Sequence, residues 1–267
     1  MRAEIISSID FFFINLDHAR DRRKWFEKQA KTLGLPFERI SAEDSSDPDL
    51  NERYINSSLG PCLTLGEFAC RKSHVRAWRM FLLSGKPFAA IFEDDACIAS
   101  DLGDFLSDSS FPKFTELIRF ETFLKKVVCS RRAVFPPIQK RLFLPLLSGA
   151  FGSAGYFVSR EVAKFLLHIE PTYHGQVDGL LWSETSPIRH RLTPIQLTPA
   201  ACIQEDQLAK LEERAAVFSS SLKLGKRPRD PRDRMARTKL GEIIRYTKHL
   251  ALGADPFRYK RIVPIVL

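Results

Sequence analysis

Cysteine is scarce in this chain of 267 residues. Cys62, Cys70, Cys97, Cys129 and Cys202 are odd in number and widely spaced, and no Cys-x-x-Cys occurs. That argues against a disulfide framework and a cysteine-ligated zinc site, and it fits a reducing cytoplasm. Long apolar runs are missing too. No stretch reaches the roughly 18 uncharged residues of a membrane-spanning helix. The opening MRAEIISSIDFFFINL is apolar, but it contains Glu4 and Asp10 and no small-residue cleavage site. It reads as a first strand, not a signal peptide. Glycine is absent from FINLDHARDRR, where a nucleotidyl-transferring α/β enzyme would usually carry a Gly-rich phosphate loop. No internal repeat is present.

Excess positive charge is missing from most of the chain, although the formal net charge is +9. Lys223–Leu267 carries thirteen Lys/Arg against four Asp/Glu, while residues 1–222 carry 28 of each sign. The chain therefore reads as a neutral domain over residues 1–218 followed by a basic tail over 219–267. No aromatic-rich motif accompanies the tail, which counts against a nucleic-acid-binding module. Within it, Leu240, Ile243, Ile244, Thr247, Leu250 and Ala251 fall on one side of a helical wheel with Arg245 opposite. That is the layout of an amphipathic helix resting on an anionic membrane surface.

What is abundant is material for a core: 44% hydrophobic residues and 21 Phe suit one large domain. Ile9–Leu16 reads as a strand. A helix is expected from His18 to Leu33, with Asp17 as N-cap and Gly34 past its end, and a second strand over Pro36–Ala42. Strand, helix and strand in about 35 residues suggest a βαβ unit. Residues 43–63 read as an irregular loop. Thr64 and Glu67 have capping-box spacing and open a helix that stops at Gly85. Asp101–Leu106 reads as a short helix, Thr115–Phe123 as a strand and Lys125–Lys140 as an irregular loop. Gly149–Ser159 ends in a strand, and Ser159 caps the next helix. Gln176–Trp182 reads as a helix or turn and Leu192–Gln204, with Pro194 and Pro199, as an edge strand.

The run FAAIFEDDAC, Phe88–Cys97, takes a short apolar strand straight into Glu93, Asp94 and Asp95. Ligands of open α/β sheets bind beyond the carboxyl ends of strands. Alternation along the strand places Glu93 and Asp95 on one face and Asp94 on the other. Two carboxylates on one face suit a hard divalent cation. Asn15, Asp17 and Arg22 fall where the first strand meets the first helix, a place that favours anions.

Three stretches, FFINLDHARDRR, LTLGEFACRKSHVRAW and AAIFEDDACI, followed by SAGYFVSREVAKFLL, QVDGLL and TPAACIQED, resemble the ordered motifs of glycosyltransferase family 25. The chain departs from that pattern at Phe68 and Ala69, and TELIRFETF lacks the Trp-Asp that often precedes Ile118-Arg119. The resemblance implies a GT-A type α/β fold, a mixed, mostly parallel sheet flanked by helices, binding a nucleotide sugar with Mn2+ or Mg2+. It makes the acidic triplet the metal element, with Asp95 a direct ligand, Glu93 a ligand through water or a ribose contact, and Asp94 near the sugar. It places Asn15, Asp17 and Arg22 at the nucleoside and diphosphate, and Ser73 and His74 near the donor. It puts Gly155 and Tyr156 on the acceptor side and makes Asp178 the candidate base. The implied reaction is inverting transfer of a hexose, first of all galactose from UDP-galactose, to a lipooligosaccharide or lipopolysaccharide core sugar. The expected location is the inner face of the cytoplasmic membrane, held by the tail.

Overall fold

The structure is a computed structural model, and it describes residues 6–59, 62–111, 116–218 and 258–267. β1 (Ile9–Asn15) is buried almost throughout, because helices cover both faces of its sheet. α1 (Arg20–Leu33) crosses to β2 (Phe37–Ser41), which pairs parallel to β1 with Phe11 opposite Phe37. This is the expected βαβ unit. Gly34, at φ 64°, ends α1 and donates its amide to the Ala30 and Lys31 carbonyls. The expected cap does not form: Ala19 is the N-cap and makes no side-chain cap bond. Asp17 instead accepts from Arg39 and from Ser41 Oγ.

Residues 43–63 are not wholly irregular. α2 (Pro48–Ile55) starts there, with Asp47 accepting from the Asp49 amide at 2.9 Å and Pro48 at the first helical turn. α3 (Leu65–Ser84) carries the expected capping box: Glu67 N donates to Thr64 Oγ1 at 3.2 Å and Thr64 N to Glu67 Oε2 at 2.8 Å. Gly85, at φ 81°, terminates it. β3 (Phe88–Glu93) then pairs parallel to β1, with Ile91 opposite Phe12.

The main sheet has the order β2-β1-β3-β9-β5-β10-β8, with β9 (Gly155–Ser159), β5 (Leu117–Arg119), β10 (Ile195–Thr198) and β8 (Leu142–Pro145). It is mixed: β1–β2, β1–β3 and β5–β10 are parallel, whereas β3–β9, β5–β9 and β8–β10 are antiparallel. The parallel half carries the amino-terminal βαβ unit. A second sheet, β4-β11-β6, consists of β4 (Ala96–Ile98), β11 (Cys202–Gln204) and β6 (Glu121–Thr122). Three strands of the main sheet thus each break and continue into the small sheet: β3 into β4, β5 into β6, β10 into β11. The expected strand over 115–123 and the expected edge strand over 192–204 are each divided this way. Pro194 and Pro199 lie outside the paired residues, so β10 occupies an interior position without losing a ladder donor.

Alternate residues of β1 and β3 point to two cores. Phe12, Ile14 and Ile91 join Trp78, Tyr156 and Trp182 on one face. Phe11, Phe13 and Phe92 join Phe26, Phe105 and Phe157 on the other, where Phe13 and Phe26 stack at 4.6 Å. Among the described residues, the other α-helices are α4 (Leu102–Ser107), α5 (Arg160–Ile169), capped by Ser159, α6 (Val177–Trp182) and α7 (Glu205–Leu211).

Two expectations about the basic segments change. β7 (Lys126–Ser130) forms inside the stretch read as irregular and pairs antiparallel with β12 (Arg258–Ile262). Val263 is buried, its carbonyl accepts from Thr122 Oγ1 at 2.7 Å, and the Pro264 carbonyl accepts from Ala200 N at 2.8 Å. Residues 258–267 therefore belong to the domain and not to the tail. The amphipathic helix expected over Leu240–Ala251 lies outside the described residues. Among the described residues no helix is long and apolar enough to cross a membrane.

Candidate active site

The acidic triplet sits where the first of the three breaks occurs. β3 ends at Glu93, and Asp94 and Asp95 form a turn into β4. Strand alternation stops there, so Asp94 does not face away. All three carboxylates line one cavity of about 140 Å³. Asp94 accepts from Asn15 Nδ2 at 2.7 Å and from Arg22 Nη1 at 2.9 Å. Arg22 also lies 3.6 Å from Asp95 Oδ2. Glu93 Oε1 accepts from Ser153 Oγ at 2.6 Å and from His74 Nε2 at 3.3 Å.

These environments separate the three acids. Burial, then the charges of Glu93 and Asp94, push Asp95 up to about 8. Burial also works against ionised Glu93, but His74, Ser153 and Arg22 together outweigh it and hold Glu93 below its usual range. Asp95 Oδ1 is buried with no hydrogen-bond partner among the described residues. An orphaned oxygen next to an ionised carboxylate is a seat that a hard divalent cation fits, and the pair Glu93–Asp95 would hold it. Cys70, His74 and Glu93 also present ligand atoms within 4.8 Å of one another. Burial and the surrounding carboxylates push the Cys70 thiol well up, so it stays protonated and is the poorer donor.

His74 is oriented from behind. Trp78 Nε1–H donates to Tyr156 Oη at 2.8 Å. The Tyr156 proton is then left for His74 Nδ1, 2.9 Å away, which puts the imidazole proton on Nε2, facing Glu93. Tyr156 is fully buried in this chain of bonds and packs edge-on to Trp182. It cannot form the acceptor-side wall expected of it. Nor can Gly155: a Cβ there would lie 2.3 Å from Cys202 Sγ and 2.9 Å from Phe92, so its smallness serves packing.

The other expected donor contacts divide. Arg22, Ser73 and His74 line the cavity. Ser73 Oγ donates to the Ala69 carbonyl and accepts from Glu43 N, both at 2.8 Å. Asn15 is 2% exposed and outside the cavity lining, so it fixes Asp94 from below. Asp17 also lies off the lining, tied to Arg39 and Ser41. The amides entering α1 are already engaged, Ala19 N with Leu16 O and Arg20 N with His18 O. Phe218 closes the cavity over Arg22, whose guanidinium lies 5.4 Å from its ring. The buried Glu205 accepts the Val217 and Phe218 amides to hold that segment down.

A second cavity, of about 260 Å³, adjoins the first and shares Cys70, Glu93, Gln204 and Asp206 with it. Asp178 lines only this one. It is the second residue of α6, after the N-cap Gln176, and accepts from Gly152 N at 3.2 Å and Gly179 N at 2.7 Å. Burial raises it above the ordinary aspartate range. Glu67 lines the cavity as well, holding both its capping box and Gln176. Glu121 lies beneath Gly152, accepts from Ala154 N at 2.9 Å, and is pushed up to about 8, first by burial. Ser153, Glu121, Gln204, Asp206 and Phe151 were not signalled by spacing. They come from the loop between β8 and β9 and from the segments that follow β5 and β10, which only the topology brings together.

Residues 8–181 match the family model described as glycosyltransferase family 25 (LPS biosynthesis protein). The chain is 31% identical over 211 residues to the lipooligosaccharide biosynthesis protein lic2B of Haemophilus influenzae, spanning 74% of this chain and 76% of that protein. It is 28% identical over 270 residues to the lacto-N-neotetraose biosynthesis glycosyltransferase LgtB of Neisseria meningitidis serogroup B, spanning 94% and 98% respectively. Among solved structures, a glycosyltransferase involved in the glycosylation of the major capsid of PBCV-1 aligns over 77% of this chain and 97% of that chain. It does so at 11% identity and a TM-score of 0.41.

Proposed function

The chain belongs to glycosyltransferase family 25, and from that premise we propose that it moves a hexose, galactose from UDP-galactose first of all, onto a lipooligosaccharide or lipopolysaccharide core sugar with inversion. The observation that carries this reading is the meeting of two cavities at Glu93. The first, with the triplet, Arg22, Ser73 and His74, takes the nucleotide sugar. The second, with Asp178, takes the acceptor. Donor and acceptor cavities that meet along one shared wall suit direct displacement at the anomeric carbon.

Arg22 is fixed by Asp94 at the donor end of the triplet and offers positive charge to the diphosphate. Mn2+ or Mg2+, held by Glu93 and Asp95, would offset the negative charge that develops on the leaving nucleotide. His74, locked as the Nε2–H tautomer, keeps Glu93 in place. Asp178 takes the proton of the attacking hydroxyl at Oδ2, while the Gly152 and Gly179 amides hold its carboxylate in position. For membrane attachment, residues 219–257 carry the proposal, since β12 is engaged by β7. A polybasic segment of this kind gains about 1 kcal/mol per Lys or Arg near an anionic surface. Attachment there places the enzyme on the inner face of the cytoplasmic membrane.

The test is a screen of nucleotide-sugar hydrolysis with manganese present. UDP-galactose should be hydrolysed faster than UDP-glucose and the N-acetylated forms. Hydrolysis of none of them overturns the donor assignment.

A further inference from the structure

We infer that the second cavity selects an uncharged pyranose as acceptor, seated against an aromatic corner formed by Phe123 and Phe151, and turns away sugars that carry phosphate or carboxylate. This rests on the assignment of that cavity to the acceptor and adds the chemical class that the cavity admits.

The first ground is charge. The charged side chains that line the cavity, among the described residues, are the carboxylates Glu67, Glu93, Asp178 and Asp206. No Lys or Arg joins them among those residues. The other polar lining comes from the amides of Gln176, Gln204 and Gln207 and from Ser153. Amides and carboxylates are suited to sugar hydroxyls, which both donate and accept. A phosphate or uronate placed among these acids would lose hydration and meet no lining Lys or Arg in return, and such repulsion rejects a ligand more sharply than a missing contact does.

The second ground is the frame around Phe151. Its side chain is 59% exposed, although it belongs to a closely held segment. The buried Arg119 donates to the Phe151 carbonyl, and Trp182 Nε1 donates to the Gly152 carbonyl at 2.8 Å. Gly152 adopts φ 86°, and a Cβ there would lie 2.3 Å from Glu121 Oε1. A segment fixed by a buried arginine, a tryptophan and a glycine-only approach nevertheless holds a large apolar ring in water. Phe123 stands beside it, the ring centres 6.1 Å apart and tilted by 40°. Two adjoining rings at the rim of a polar cavity match a pyranose, which has an apolar C–H face and a polar edge.

The test uses the full chain with the donor found in the hydrolysis screen. Acceptors are methyl hexosides, the matching hexuronic acids and the hexose 6-phosphates, followed by product formation and by saturation-transfer NMR in the presence of UDP. Neutral hexosides should show KM values at least about tenfold below their anionic counterparts, and only they should receive saturation. Phe151→Ala should raise the acceptor KM about fivefold while the donor KM stays within about twofold. Phe151→Leu, which keeps apolar bulk without a ring, should lie between. Gln207→Arg should close most of the gap between neutral and anionic acceptors. Equal or preferential use of anionic sugars overturns the inference, as does an absence of saturation on every neutral hexoside. Loss of donor hydrolysis would strike the donor assignment instead. Intact hydrolysis with an anionic preference would strike this inference alone.

Discussion

Tyr156→Phe removes a single oxygen from the centre of the molecule. The ring stays, so its edge-on contact with Trp182 and its packing against His74 persist. What is lost is the acceptor for Trp78 Nε1–H and the donor to His74 Nδ1, at 2.8 and 2.9 Å. Tyr156, Trp78 and His74 are all buried, so water does not replace the hydroxyl. Each of the two buried groups left without a partner costs about 1–3 kcal/mol, giving a loss of about 2–6 kcal/mol. In a domain of this size that lowers Tm by roughly 5–15 °C. The imidazole is then free to carry its proton on Nδ1, and Glu93 loses its donor in that tautomer. Turnover should fall about tenfold, as for loss of a positioned hydrogen bond near reacting groups, with less change in donor KM. Differential scanning fluorimetry and steady-state kinetics read the two effects. A Tm within about 2 °C of wild type would refute the buried chain of bonds. A lowered Tm with unchanged turnover would confine that chain to stability.

Glu121 gives a pH prediction with a definite sign. Its folded-state value, about 8, lies above the ordinary 4.5, so the folded protein holds a proton that the unfolded chain has released. Its share of stability is present below pH 4.5 and is lost as pH rises toward 8, by up to about 1.4 kcal/mol per pH unit. Glu121→Gln should flatten the decline in Tm between pH 5 and 8; an unchanged slope would count against a protonated Glu121. Gly152→Ala should abolish acceptor turnover, because the new Cβ meets Glu121 Oε1 at 2.3 Å in a backbone region that L-residues rarely adopt. Calorimetric UDP affinity should persist in that variant, and loss of both would show that the two cavities do not act separately. Removing residues 258–267 should lower Tm by at least about 5 °C, since β7 loses its partner and Val263 its buried site. An unchanged Tm would return that segment to the tail.

Local signals suffice where one element decides its own form. The β1–α1–β2 unit, the Thr64–Glu67 capping box and the Phe88–Glu93 strand all follow from periodicity and caps. α2 carries a signal of its own, Asp47 before Pro48, hidden in a polar stretch. β7 is five residues long, and its partner β12 lies more than a hundred positions away, so no local pattern could reveal the pairing. Strand alternation misassigned Asp94 because the strand stops at Glu93, and a turn carries the next two acids to the same cavity. Tyr156 illustrates the limit for aromatics: a ring that stacks on a sugar and a ring that orients a buried histidine look alike in sequence. The second cavity was hardest to foresee. Its walls come from the start of α3, from Glu93 and Phe123, and from residues 151–153, 176–178 and 204–207, which only the tertiary fold brings together.

Calorimetric titration of UDP, with and without Mn2+, into the wild-type chain and Asp95→Ala tests the central claim most directly. The account predicts binding at least about tenfold tighter with Mn2+ in the wild type. In Asp95→Ala that gain should vanish while Tm stays level or rises, because a buried carboxylate with an unpaired oxygen has been removed. Equal affinity with and without Mn2+ in the wild type, or a manganese gain that survives in Asp95→Ala, would contradict it.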